Sequence, residues 1–241
     1  MKTIGLIGGM SWESSAQYYR MINEEIRREL GGLHSAKCIL YSVNFEEIEH
    51  FQKEGQWEKA GSVLGDAAKS LEKAGADLII LCTNTMHRVS DYIEEATSIP
   101  LLHIADGTGA RIKDSGLGTV GLLGTKYTME QEFYKSRLVE EFGLKVIVPN
   151  EAEREQVNKI IFDELCMGII AQDSKEFFLE VMKKLAKAGA EGIILGCTEI
   201  GLLVKQADLD IRLFDTTHIH AVEAVKRALE DCEKTTKKGT R

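Results

Sequence analysis

Short, almost wholly apolar runs alternate along the chain with longer segments in which apolar residues recur every three or four positions. The runs at 3–7, 37–43, 77–81, 100–104, 119–123, 145–148, 192–195 and 212–214 predict strands. Their lack of a polar face predicts burial on both sides, as in parallel sheets. The segments at 14–28, 57–74, 89–96, 107–113, 129–142, 153–167, 174–188 and 217–233 predict helices. Strand–helix alternation of this kind predicts α/β architecture.

The pattern repeats. Leu71-Glu72-Lys73-Ala74-Gly75-Ala76-Asp77-Leu78-Ile79-Ile80-Leu81 returns without a gap as Leu185-Ala186-Lys187-Ala188-Gly189-Ala190-Glu191-Gly192-Ile193-Ile194-Leu195. Thr3-Ile4-Gly5-Leu6-Ile7-Gly8 is echoed by Thr119-Val120-Gly121-Leu122-Leu123-Gly124, and Ile99-Pro100-Leu101-Leu102 more weakly by Ile211-Arg212-Leu213-Phe214. Similar α/β strands in general could account for the last echo, but hardly for the shared Lys-Ala-Gly-Ala-acid string. Two pseudo-symmetric lobes are expected, each a mostly parallel sheet flanked by helices. Residues 1–114 plus 215–233 form one, 115–214 the other, and 234–241 a polar tail. Ligands of such sheets sit beyond the carboxyl ends of the strands, which places the expected site in a cleft between the lobes.

At 241 residues, 44% hydrophobic and 28% charged, the chain is long enough for one large core or two small ones. A net charge of −8 argues against nucleic-acid or membrane-surface partners. The one dense basic run, Lys234-Thr235-Thr236-Lys237-Lys238, falls in the expected tail. The first apolar run, Ile4 to Met10, is too short and too glycine-broken for a signal or a span. Five cysteines without a CxxC spacing fit a reducing cytoplasm, with Cys38, Cys166 and Cys232 as packing positions.

Polar residues cluster at strand ends. Gly8-Gly9-Met10-Ser11 follows the first strand and opens a helix, where backbone N–H groups could approach an anion. The spacing is not that of a dinucleotide loop, and a small carboxylate suits it better. Cys82-Thr83-Asn84-Thr85-Met86-His87 follows the third strand and offers hydroxyl and amide groups, or an ordinary helix cap. Gly196-Cys197-Thr198-Glu199 follows its counterpart. A cysteine before a helix is expected to have a lowered pKa, against the alternative of a buried structural thiol. The repeat sets Cys82 against Gly196 and Thr83 against Cys197. No histidine partners Cys197 in a protease-like arrangement, and His218-x-His220 is the one close histidine pair. No metal site is expected, and both histidines read as the start of the last helix with local hydrogen bonds.

Gly-Gly-Met-Ser-Trp-Glu-Ser, Thr-Asn-Thr-Met-His and Gly-Cys-Thr-Glu-Ile together resemble the aspartate/glutamate racemase family over nearly the whole chain. The resemblance implies cofactor-independent inversion of an amino acid, by two cysteines on opposite faces of the α-carbon. It also implies a homodimer whose partner is a small amino-acid substrate, with no nucleic acid or membrane involved. Here the second cysteine is Cys197, whereas Thr83 stands at the first position and Cys82 one residue earlier. By resemblance, Asn84, Thr85 and Thr125 hold the α-carboxylate, Thr198 and Glu199 lie near the ammonium, and Met10 and Gln52 line the side-chain end. Gln52 is neutral, so Lys126 and Arg20 are the candidates for a second carboxylate. Two other readings compete: a related carbanion enzyme such as a decarboxylase or maleate-type isomerase, and a non-catalytic amino-acid-binding protein.

Overall fold

The computed structural model describes residues 1–236, with side chains to 230. The last part of the expected tail, 237–241, and the Cys232 side chain lie outside the described residues. The first half runs β1 (Ile4–Gly8), α1 (Trp12–Leu30), β2 (Cys38–Ser42), α2 (Phe45–Lys53), α3 (Trp57–Lys73), β3 (Leu78–Leu81), α4 (Ser90–Ala96), β4 (Leu101–Leu102) and α5 (Ile104–Asp114). The second runs β5 (Thr119–Gly124), α6 (Lys126–Glu130), α7 (Glu132–Phe142), β6 (Lys145–Ile147), α8 (Glu151–Asp163), α9 (Gln172–Lys187), β7 (Gly192–Gly196), α10 (Ile200–Leu203), β8 (Arg212–Asp215) and α11 (Thr216–Thr236).

All eight expected strands form, in two parallel four-stranded sheets ordered β2-β1-β3-β4 and β6-β5-β7-β8. The sequence echoes are also echoes of pairing. Ile4 pairs with Leu78 and Ile7 with Leu81, and their counterparts pair as Val120 with Gly192 and Leu123 with Leu195. Ile79 faces Leu101 as Ile193 faces Leu213. The weakest echo in sequence therefore marks a true structural equivalence. A fourth one, Cys38 beside Ile4 and Val146 beside Val120, has no visible trace in the sequence.

The repeated Lys-Ala-Gly-Ala-acid string is a helix stop and a strand clamp. Gly75 and Gly189 take φ of 93° and 103°, the left-handed conformation that ends α3 and α9. Ala76 N–H donates to Leu71 O and Ala190 N–H to Leu185 O, both at 3.0 Å. The acid that follows reaches the start of the neighbouring strand: Asp77 Oδ2 accepts from Thr3 N–H at 2.6 Å, and Glu191 Oε2 from Gly118 and Thr119 N–H at 2.8 and 2.7 Å. Those two amides hold the Glu191 carboxyl below its ordinary range.

The chain divides into two compact units. The first comprises Met1–Cys82, Val89–His103 and the chain from His220 onward; the second comprises Thr83–Arg88 and Ile104–Ile219. In the first, Ile4, Leu6, Leu78 and Ile80 pack against Tyr18, Ile22 and Ile26 of α1 and Ala221, Ala224 and Val225 of α11. In the second, alternate residues of β5 and β7 face opposite cores. Leu123, Ile193 and Leu195 meet Val157, Ile161, Phe178 and Met182 of α8 and α9. Val120, Leu122 and Ile194 meet Ile112, Tyr134 and Leu138 of α5 and α7. Burying such side chains on both faces of each sheet is the main drive to fold.

Several features depart from the sequence reading, among them the unexpected short helix α10 and the end of α8 at Asp163 rather than 167. The expected strand at 100–104 is only two residues long, because Ile104 already begins α5. The expected helix at 129–142 breaks at Gln131, whose extended backbone (φ −86°, ψ 155°) ends α6 and caps α7. Helix α2 was not expected, although Phe45, Ile48 and Phe51 recur at helical spacing; it is short, and it buries Ile48 and Gln52.

Candidate active site

Beyond β3 the chain passes from one unit to the other between two adjacent residues of interest. Cys82 is wholly buried in the first unit's core with Leu6, Tyr18 and Ile80, and burial pushes its thiol up. Thr83 opens the second unit and is 7% exposed. The segment that follows is anchored at three places within that second unit. Asn84 Nδ2 donates to Thr216 Oγ1 at 3.0 Å, Thr85 Oγ1 lies 2.8 Å from Thr125 Oγ1, and Ile104 N–H donates to His87 Nε2 at 3.2 Å.

The amide of Asn84 has a fixed orientation. The Thr216 hydroxyl hydrogen goes to Leu195 O at 2.8 Å, so Thr216 Oγ1 accepts from Asn84 and Nδ2 must face it. That leaves Asn84 Oδ1, a buried acceptor with no partner among the described residues. Buried polar atoms are nearly always satisfied by protein or water, so this oxygen is available to accept from water or from a donating ligand. Thr85, Thr125 and Thr128 form a cluster of hydroxyls, with Thr128 Oγ1 at 3.2 Å from Thr125 and 3.5 Å from Thr85.

At the end of β7, Cys197 Sγ–H donates to Glu199 Oε2 at 3.0 Å and Thr198 Oγ1–H to the same oxygen at 2.7 Å. All three residues are buried, Cys197 being 7% exposed. The expected lowering of the thiol pKa is overturned. Burial pushes it well above the ordinary range, and the Glu199 charge and Cys166 push it the same way. Helix α10 begins only at Ile200, with Glu199 as its cap; the Glu199 backbone N–H faces the sulfur and lowers its pKa, but burial and the Glu199 carboxylate outweigh it. The resting group is a thiol with a proton acceptor already in contact.

This has a measurable consequence. Thiolate is the species that alkylates. With its pKa raised, Cys197 of the folded protein holds less thiolate at any pH than an ordinary cysteine. Iodoacetamide should leave it nearly untouched at pH 7, with a rate that keeps climbing about tenfold per pH unit past pH 9. Peptide mapping by mass spectrometry reads this; alkylation at pH 7 as fast as in the urea-unfolded protein would contradict it.

The remaining expected site residues are placed as follows. Met10 and Gln52 belong to the first unit and are buried, at 4% and 5% exposure. The expected anion loop around Gly8-Gly9-Met10-Ser11 is committed to its own structure. Gly9 N–H donates to Ser15 Oγ at 2.7 Å, and Ser11 Oγ caps α1 by accepting from Ser14 N–H. The two candidate cations are both held by carboxylates, Arg20 by Glu24 at 2.7 Å and Lys126 by Glu155 at 3.4 Å. The ring of His220 reaches partners far along the chain: Tyr18 Oη lies 2.9 Å from its Nδ1 and Leu102 O 2.9 Å from its Nε2. Sequence reasoning missed Thr128 and Thr216. Thr216 stands at the polar end of β8, the same strand-end signal that drew attention to Thr83 and Cys197. Among the described residues no cluster of three or more His, Cys, Asp or Glu side chains could hold a metal, and no helix is long and apolar enough to cross a membrane.

Comparison with known proteins adds an independent line. A family profile described as Asp/Glu/Hydantoin racemase matches residues 7–224. The crystal structure of a protein proposed to be an Asp/Glu racemase from Yersinia pestis is 56% identical, with a TM-score of 0.88 over 95% of this chain and 100% of that one. An aspartate racemase homologue from Pyrococcus horikoshii OT3 is 41% identical, with a TM-score of 0.81 over 95% and 99%. The broad specificity amino-acid racemase RacX of Bacillus subtilis is 27% identical over 164 residues, 68% of this chain and 70% of its own.

Proposed function

The chain belongs to the Asp/Glu/Hydantoin racemase family, and on that premise we propose that it inverts the α-carbon of an amino acid without a cofactor, using Cys197 and Thr83 on opposite faces. The observation that carries this is the Cys197 thiol donating to the buried Glu199 carboxylate. A thiol with a raised pKa is a poor base by itself, but here its proton has an acceptor 3.0 Å away. Glu199 takes the thiol proton as the substrate binds. The thiolate then removes the α-proton and becomes a thiol again. Thr83 Oγ–H delivers its proton to the other face of the carbanion, the resulting alkoxide is reprotonated from solvent, and Glu199 releases to solvent the proton it took from Cys197, which restores the resting enzyme.

The binding groups divide by chemistry. Asn84 Oδ1 is an acceptor awaiting a donor, which suits the α-ammonium. That assignment replaces the carboxylate role given to Asn84 by resemblance. The α-carboxylate goes to the hydroxyls of Thr85 and Thr125, which can donate. Thr198 and Glu199 then serve Cys197 more directly than the ammonium. Cys82 is a weak candidate for the second acid/base because its thiol lies within an apolar core and its pKa is raised. Relatives named for aspartate and for broad specificity make aspartate and glutamate the first substrates to test and neutral amino acids the second.

A hydroxyl is a far weaker acid and base than a thiol at neutral pH. The L form, by resemblance the one that meets Cys197, should therefore exchange its α-proton faster than it inverts. The two enantiomers have equal free energies, so kcat/KM is the same in both directions, and the asymmetry appears only in exchange and in kcat and KM taken singly. The test is a panel of L- and D-amino acids in deuterated water, with chiral separation of the products. L-substrate exchange ahead of inversion is the expected result. Tight binding with no exchange from any amino acid would reduce the protein to a binding module. Inversion that survives Thr83→Ala but disappears in Cys82→Ala would move the second role to Cys82.

A further inference from the structure

We infer that His87 is a positioning residue for Thr83, holding the peptide that carries the proton-donating hydroxyl through its ring. The inference rests on the racemase reading above and adds a part to it. His87 is 2% exposed, and both ring nitrogens have backbone partners. Ile104 N–H can only donate, so Nε2 must be the unprotonated nitrogen. The ring hydrogen then sits on Nδ1, which lies 2.8 Å from Thr83 O. One tautomer of neutral histidine satisfies both contacts, and it makes Nδ1–H a donor to the Thr83 carbonyl.

The arrangement runs in one direction. Helix α5 begins at Ile104, where an unpaired helical N–H is available. That N–H fixes the ring, and the ring fixes the carbonyl of Thr83. Thr83 needs such help more than its neighbours do. Asn84 and Thr85 are tied by their own side chains to Thr216 and Thr125. The Thr83 side chain has to stay available to donate a proton, so its position must be set through the backbone. A weak donor is also the group whose rate depends most on alignment, since a misplacement of about 1 Å can cost about a hundredfold.

Two substitutions separate the contacts. In His87→Asn the amide can still donate to Thr83 O, at the place of Nδ1, but no longer reaches Ile104. In His87→Gln the longer side chain can accept from Ile104 N–H but no longer donates to Thr83 O. The readout is the ratio of inversion to α-proton exchange with L-aspartate or L-glutamate in deuterated water, whichever the wild type exchanges. This ratio does not depend on the fraction of folded enzyme. Exchange reports the Cys197 step alone, while inversion also requires Thr83.

The expected result is a ratio lowered about tenfold or more in His87→Gln and restored to within about threefold of wild type in His87→Asn. Ratios equal to wild type in both variants would overturn the proposal. So would an equal loss in both, which would show that the donor to the Thr83 carbonyl is not what matters, or loss of exchange together with inversion, which would assign His87 to general folding. Absence of exchange in the wild type would instead refute the racemase reading, so the two failures are distinct.

Discussion

Cys197→Ala should abolish α-proton exchange and inversion together, with a loss of about a thousandfold or more in kcat/KM. In the proposed mechanism Cys197 is the group that removes the α-proton from the L form, so both exchange and inversion depend on it. The substitution deletes a single buried sulfur, in a core otherwise built by Phe178, Val181, Ile193 and Leu195. Its thermal cost should therefore be about 1 kcal/mol, a shift of a few degrees. Circular dichroism melting beside the exchange assay separates the two effects. Glu199→Gln is the useful companion. It keeps the thiol and the shape but removes the proton acceptor, so exchange should fall about ten- to a hundredfold while the fold persists. Exchange unchanged in Glu199→Gln would remove Glu199 from the chemistry, and exchange unchanged in Cys197→Ala would sink the mechanism.

Gly9→Ala is expected to be the most damaging single-methyl change to stability. Gly9 has φ of +96°, and a Cβ there would lie 2.2 Å from Val43 O and 2.7 Å from Val43 N. Both are backbone atoms, and Val43 N–H is already donated to Gly8 O at 3.0 Å. Neither can move without disturbing the exit from β2. Strain in φ and overpacking together should cost about 3 kcal/mol or more, lowering Tm by about 10 °C. Gly143→Ala is the control. Its backbone is left-handed helical (φ +62°, ψ 30°), but a Cβ there meets nothing within 4 Å, so only the backbone cost of about 1 kcal/mol remains. Similar Tm shifts for the two variants would show that the close approach to Val43 does not matter.

Much of the architecture was legible because it is written in apolar runs. A strand buried on both faces cannot tolerate polar residues, so the eight runs stand out. The repeat was legible for a related reason. Gly5 and Gly121 are spaces for Leu71 and Leu185, whose Cδ1 atoms would stand 3.3 and 3.0 Å from an added Cβ. Gly75 and Gly189 stop helices, and Asp77 and Glu191 clamp strands. These demands fall on single letters, and so they survive in both halves. The break at Gln131 left no such letter, and the pattern Phe45, Ile48, Phe51 of α2 is only one helical repeat long.

The site was half legible. Strand-end position and family likeness found Thr83, Asn84, Thr85, Cys197 and Glu199. What they do was harder to read, because the partners lie far away in sequence. Asn84 is oriented by Thr216, 132 residues on, and the state of Cys197 is set by how deeply β7 is buried. A one-letter string cannot weigh burial against a helix end. In this protein burial and a neighbouring carboxylate prevail, and the thiol rests protonated.

The division of the chain into units has a practical meaning for anyone who wishes to dissect it. The first unit is assembled from three separate stretches and the second from two, with crossings after Cys82, Arg88, His103 and Ile219. No contiguous gene fragment encodes either one alone. A protease that nicks the chain once leaves each half still threaded through the other's sequence, and a stop codon placed before α11 removes Ala221, Ala224 and Val225 from a core begun more than two hundred residues earlier. The proposed acid/base pair is similarly indivisible: six residues, Thr83–Arg88, interrupt the first unit's sequence and place Thr83 in the unit that holds Cys197.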